Sequence, residues 1–160
     1  MEKTNEEDLN FVENLIKSSL LLLRDKDMNL FHSQKNSDAN GQKLHEVCIN
    51  HRFSIYLEKY LKENMINYYV DNNKKYTRPD IIVHTRDYRN ELYNNYLIIE
   101  VKKDENSIED EKKIKAFMRE GDYLYKYGCK IKYGNLQDNY NIKLYYSLNG
   151  KIINKKKIIL

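Results

Sequence analysis

Apolar residues recur along this chain with two periods, and the switches between them lay out its elements. From about Asn5 to Arg24 the positions Leu9, Val12, Ile16, Leu20 and Leu23 repeat at helical spacing, which predicts an amphipathic helix. FHSQKNSDANGQ (31–42) reads as a polar linker. A second helix is expected to start near Asp38 to Asn40, whose side chains suit a cap, and to run to about Asn64. The period then falls to two. INYYVDNN, RPDIIVHT and NYLIIEVKK predict three strands, the second opening at Pro79, where a missing N–H is tolerated. RDYRNELYNN is the loop between the second and third. Ser107 to about Tyr127 is helical again through Ile108, Ile114, Phe117, Met118 and Leu124, with Gly128 placed to end it. CKIKYG predicts a fourth strand. NIKLYYSL and KIINKKKIIL flank Asn149-Gly150, the strongest two-residue hairpin signal.

The order of helix, helix, three strands, helix, strand and hairpin predicts an α/β fold, a mixed central sheet flanked by helices. Its 160 residues suit a single domain over 1–160, long enough for a real core. Within it, 1–39 is an N-terminal helical extension and linker, 40–135 the core, and 136–160 a C-terminal hairpin. With 41% hydrophobic and 32% charged residues, the chain lies well away from disorder. The net charge of +4 permits an anionic partner without requiring one. The many Asn, Lys, Ile and Tyr residues also fit an A/T-rich coding sequence, which discounts the basic balance further.

Cys48 and Cys129 stand far apart, which excludes a zinc-ribbon pairing and argues against a disulfide framework. A reducing cytoplasm is the expected compartment. The start of the chain is acidic, and Leu20 to Leu23 is too short for a bilayer span or a signal core, so no membrane partner is expected.

Charges then appear where a core strand would exclude them. In YLIIEVKKD, strand alternation puts Ile98, Glu100 and Lys102 on one face and Leu97, Ile99 and Val101 on the other. Asp80 follows Pro79 at the start of the preceding strand. If these two strands are antiparallel neighbours, Asp80 and Glu100 meet at one edge of the sheet with Lys102 beside them. Converging carboxylates repel without a cation, and a hard divalent metal is their natural occupant. Glu46 supplies an independent sign. It falls in line with Ile49, Phe53, Leu57 and Tyr60, the stripe that should face the sheet, whereas His51, Arg52, Glu58 and Lys59 lie elsewhere. An inward carboxylate costs stability unless it is protonated, paired or metal-bound.

An inward Glu46 on a helix, then Pro79-Asp80, then Glu100-Val101-Lys102 resembles the PD-(D/E)xK nuclease superfamily, the restriction-endonuclease-like fold, over roughly Asn40 to Tyr133. The motif is short, and its weight comes from the elements that carry it. The resemblance implies an αβββαβ core and a metal-dependent nuclease, with DNA as the first expected substrate. Asp80 and Glu100 would bind Mg²⁺ or Mn²⁺, with the Val101 carbonyl as a further ligand and Glu46 binding directly or through water. Lys102 would orient or activate the attacking water and stabilise charge on the phosphate. The family also includes proteins that act as dimers, so a homodimer or a partner subunit stays open. The competing class is a non-catalytic module that binds nucleic acid or protein on the same scaffold.

Other residues have plainer readings. A solvated ion pair would explain Glu100 and Lys102 but not Asp80 or Glu46. HEVCINH is not a zinc-binding HExxH, because position 49 is Ile and His51 is six residues from His45. His84 shares a strand face with Asp80, and a hydrogen-bonded histidine is the expected reading. In the third helix Lys112, Lys115 and Arg119 share a face and form a candidate nucleic-acid contact, with a solvated exterior as the alternative. Relatives often keep a polar residue of this helix near the site, and the sequence leaves open which. The 15 tyrosines suit base stacking or, more simply, core and strand positions. Lys155 to Lys157 reads as a solvated run.

Overall fold

The first apolar stripe becomes α1 (Glu6–Asp27), which buries Leu9, Val12, Leu15, Ile16, Leu20 and Leu23. A short α2 (Asn29–His32) leads to α3 (Gly41–Glu63), whose Ile49, Phe53, Leu57 and Leu61 are buried. The computed structural model describes residues 6–32, 41–72, 79–85, 95–102, 108–119, 124–133, 141–148, 151–158 and 160. The expected capping residues Asp38 to Asn40 and the Asn149-Gly150 turn lie outside them, as do the side chains of His32, His45 and Lys155 to Lys157.

Six strands form one sheet: β1 (Tyr69–Asn72), β2 (Ile81–His84), β3 (Asn95–Lys102), β4 (Tyr127–Lys132), β5 (Asn141–Leu148) and β6 (Lys151–Ile158), in that spatial order. Every neighbouring pair is antiparallel except β3–β4. Parallel neighbours need a crossover, and α4 (Ile108–Arg119) provides it. The C-terminal hairpin is no appendage, since β5 pairs with β4 and widens the sheet.

Alternation along the strands divides the core in two. Ile81, Val83, Leu97, Ile99, Val101, Cys129, Ile131, Ile142 and Leu144 join the buried residues of α1 and α3 on one face. Ile98 and Tyr145 join Ile114 and Met118 of α4 on the other. The protein is therefore a mixed α/β structure with helices on both faces of a six-stranded mixed sheet.

Asp8 ties α1 to the sheet. Its carboxylate accepts the hydroxyls of Tyr96 at 2.7 Å and Tyr127 at 2.8 Å and lies 2.6 Å from Lys126 Nζ. Burial alone would raise its pKa, but these donors outweigh it and hold the carboxyl below its usual value.

One expected element is corrected. The described part of the third long helix spans Ile108–Arg119, Leu124 to Tyr127 lie outside any helix, and Gly128 lies inside β4 instead of capping a helix. Tyr125 N–H turns back to the Phe117 carbonyl at 3.2 Å, and Leu124 is exposed with φ 34°. Gly128 is needed because α4 presses on the strand there. A Cβ at this position would collide with Ile114 Cγ2 and sit 2.8 Å from Met118 Sδ.

Both cysteines are free, Cys129 buried and Cys48 half-buried. Among the described residues, no helix is long and apolar enough to cross a membrane.

Candidate active site

β2 and β3 are the antiparallel neighbours that the placement of Asp80 beside Glu100 requires, with Ile81 opposite Ile99. β2 begins at Ile81, so β3 runs past its partner there. The vacated edge is taken by a side chain: Val101 N–H donates to Asp80 Oδ2 at 2.8 Å. A strand residue's N–H and C=O project to the same edge, so the Val101 carbonyl also faces the Asp80 side. Tyr133 N–H takes the Lys102 carbonyl at 2.8 Å on the opposite edge.

Glu100, only 1% exposed, lies on the α4 face of β3. Burial, and then the negative charge of Asp80, push its pKa up to about 8. Lys113 of α4 opposes that shift. Its Nζ stands 2.6 Å from Glu100 Oε1 in an ion pair.

Glu46, half-buried on the first half of α3, belongs to the same electrostatic neighbourhood. Burial raises its pKa, Lys102 opposes, and the charges of Asp80 and Asp110 raise it further. Lys102 completes the set. Burial pulls its pKa down, but Asp110, Asp80, Glu46 and Glu100 together hold it above the ordinary lysine value.

The same stripe of α3 continues with two buried polar residues, one and two turns beyond Glu46. Asn50 Oδ1 accepts from Tyr133 OH at 3.2 Å, and the Ser54 hydroxyl donates to Asn72 Oδ1. These contacts fix α3 between β1 and the end of β4, and with it the position of Glu46.

No protein-family model matches this chain, and no curated protein matches it. What the molecule does is therefore read from its own residues.

Two residues that the sequence reading passed over belong to this site. Asp110 is buried in line with Ile114 and Met118, the stripe by which α4 meets the sheet. It is the carboxylate that acts most strongly on Lys102. The inward-acid criterion that singled out Glu46 applies equally to Asp110. Lys113, one turn further on, carries no such signal, because lysines surround it in EDEKKIK.

Lys112 and Arg119 are exposed on α4, and Lys115 leans over the Tyr145 ring at 5.9 Å. His84 Nε2 lies 2.7 Å from Asp71 Oδ2 and Nδ1 lies 3.0 Å from the Thr85 carbonyl, so this histidine is hydrogen-bonded into β1–β2. His51 is exposed.

The donor set is all oxygen, as a hard divalent cation prefers, and the charges of Asp80 and Asp110 raise the proton affinity of both Glu46 and Glu100. Among the described residues, no three His, Cys, Asp or Glu side chains form a group that could hold a metal ion by themselves. Mg²⁺ commonly takes one or two carboxylates and completes its shell with waters and substrate phosphate. Asp80, Glu100 and the Val101 carbonyl would hold it, with Glu46 acting through water.

Proposed function

We propose that this protein is a metal-dependent nuclease of the PD-(D/E)xK type, on a restriction-endonuclease-like arrangement of its core. It would hydrolyse phosphodiester bonds in nucleic acid, with DNA the first candidate. The observation that carries the reading is that Asp80 accepts the Val101 N–H at 2.8 Å and so lies beside the strand that carries Glu100 and Lys102, with Glu46 of α3, a third segment, in the same electrostatic neighbourhood. A bound Mg²⁺ or Mn²⁺ would neutralise phosphate oxygens and lower the pKa of a coordinated water.

The chain's own residues do the rest. Lys102 holds the anionic phosphate and orients the water for in-line attack, with no covalent enzyme intermediate. Asp110 keeps the Lys102 ammonium charged and directed at the site. Glu46 takes an outer position through water. Lys112, Lys115 and Arg119 offer additional backbone contacts along α4.

A second reading, a non-catalytic binding module on the same scaffold, draws on the Lys113–Glu100 ion pair, which partly neutralises Glu100 without any metal. Supercoiled, linear and branched DNA incubated with Mg²⁺, Mn²⁺ or EDTA separates the two. Metal-dependent nicking supports the nuclease. Retarded mobility without cuts supports the binder.

A further inference from the structure

Beyond the carboxylates, the same face of the sheet carries lysines in opposed pairs. Alternation along β3, β4 and β5 puts Lys102, Lys130, Lys132 and Lys143 on the α4 face, with Lys102 opposite Lys132 and Lys130 opposite Lys143. Like charges directly opposite on neighbouring strands destabilise a sheet, so each pair needs anions.

The inner pair has them. Glu100 stands opposite Lys130 on β3, and Lys143 Nζ lies 2.7 Å from Glu111 Oε1. In the outer pair, Lys102 has the site's own acids. Lys132 is half-buried and has no ion-pair partner among the described residues. Lys132 therefore lies opposite Lys102 on the neighbouring strand, at a strand spacing of about 4.8 Å, with no ion-pair partner among the described residues.

We propose that Lys132 binds a backbone phosphate adjacent to the one held at Lys102, so that the cut strand leaves the site across β4. The proposal rests on the nuclease reading and adds the path of the substrate. A phosphate contact positions the strand and carries no sequence information.

The test follows binding of a labelled duplex and a labelled single strand across a salt series, in an Asp80→Asn background that binds without cutting on this reading. Lys132→Gln should weaken binding to unrelated sequences alike and make the log–log salt slope shallower by about 1. Lys132→Met, which keeps the packing of the stem, should do the same, and Lys132→Arg should restore the slope. Lys59→Gln removes an equal charge near the far end of α3 and should leave the slope unchanged. A parental slope in both Lys132→Gln and Lys132→Met overturns the proposal while leaving the nuclease reading in place. Failure of the parental protein to bind either nucleic acid sinks both.

Discussion

The backbone N–H of Val101 donates to Asp80 Oδ2 at 2.8 Å, joining positions 21 residues apart in the chain. Asp80 thereby closes the edge of β3 that β2 does not reach. The same carboxylate raises the proton affinity of both Glu100 and Glu46. It holds the strand in register and strains the site electrostatically at once.

Those two roles separate in Asp80→Asn, which keeps an acceptor for Val101 N–H and removes the charge. In EDTA this variant should be more stable than wild type, by about 1 kcal/mol, because functional sites commonly sacrifice stability. Asp80→Ala, which loses a hydrogen bond to a charged group worth about 1.5–3 kcal/mol, should be less stable than Asp80→Asn. Thermal unfolding of the three proteins checks the order. Asp80→Asn melting below wild type would contradict it.

Glu100 gives the metal-free protein a pH dependence of definite sign. Its folded pKa of about 8 lies above the ordinary 4.5, so between those values the folded state holds a proton that the unfolded chain has released. Stability attributable to Glu100 is therefore greatest near the low end and declines as pH rises through that window. Glu46, also raised, acts in the same direction. Urea midpoints measured in EDTA from pH 5 to 8 should fall for wild type relative to Glu100→Gln. Parallel curves would show that Glu100 titrates normally.

Asp8 acts in the opposite sense and far from the site. Its folded pKa is depressed, so its contribution is present above the ordinary carboxylate range and is lost as pH falls through the depressed value. Asp8→Ala strips partners from Tyr96, Tyr127 and Lys126, and should cost about 2 kcal/mol at neutral pH. The loss should shrink on acidification. A constant difference down to acid pH would mean that packing, rather than charge, explains the cost.

Gly128 couples packing to the site. Adding a methyl group there should destabilise by about 1–3 kcal/mol through overpacking against Ile114 and Met118. It should also displace α4, which carries Asp110 and Lys113. Trimming the helix in the double variant Gly128→Ala with Ile114→Ala should recover part of the loss. Additive destabilisation in the double variant would argue against the contact.

Much of this was legible in the chain because period and polarity agreed. The alternation through Leu97 to Lys102 marked a strand whose faces differ, and the helical line from Glu46 to Tyr60 marked an acid on a buried stripe. The end of α4 was obscured because Leu124 prolongs the apolar period, although Leu124 lies outside the helix and is exposed. Gly128 looked like a helix stop, but what it answers is close approach of α4 to β4, a relation between distant elements. Asp110 was masked by its acidic neighbours in the first turn, where carboxylates suit the helix dipole without any further role. The Lys113–Glu100 pair needed the crossover itself before it could be seen.

The central claim is that Glu46, Asp80, Glu100 and Lys102 serve one hydrolytic centre. The most direct measurement is the rate of metal-dependent DNA nicking by wild type, Asp80→Asn and Lys102→Ala, each shown to be folded by circular dichroism. The account predicts cleavage by wild type with Mg²⁺ or Mn²⁺, none in EDTA, and none by either variant under any condition. Equal cleavage by wild type and both variants would contradict it.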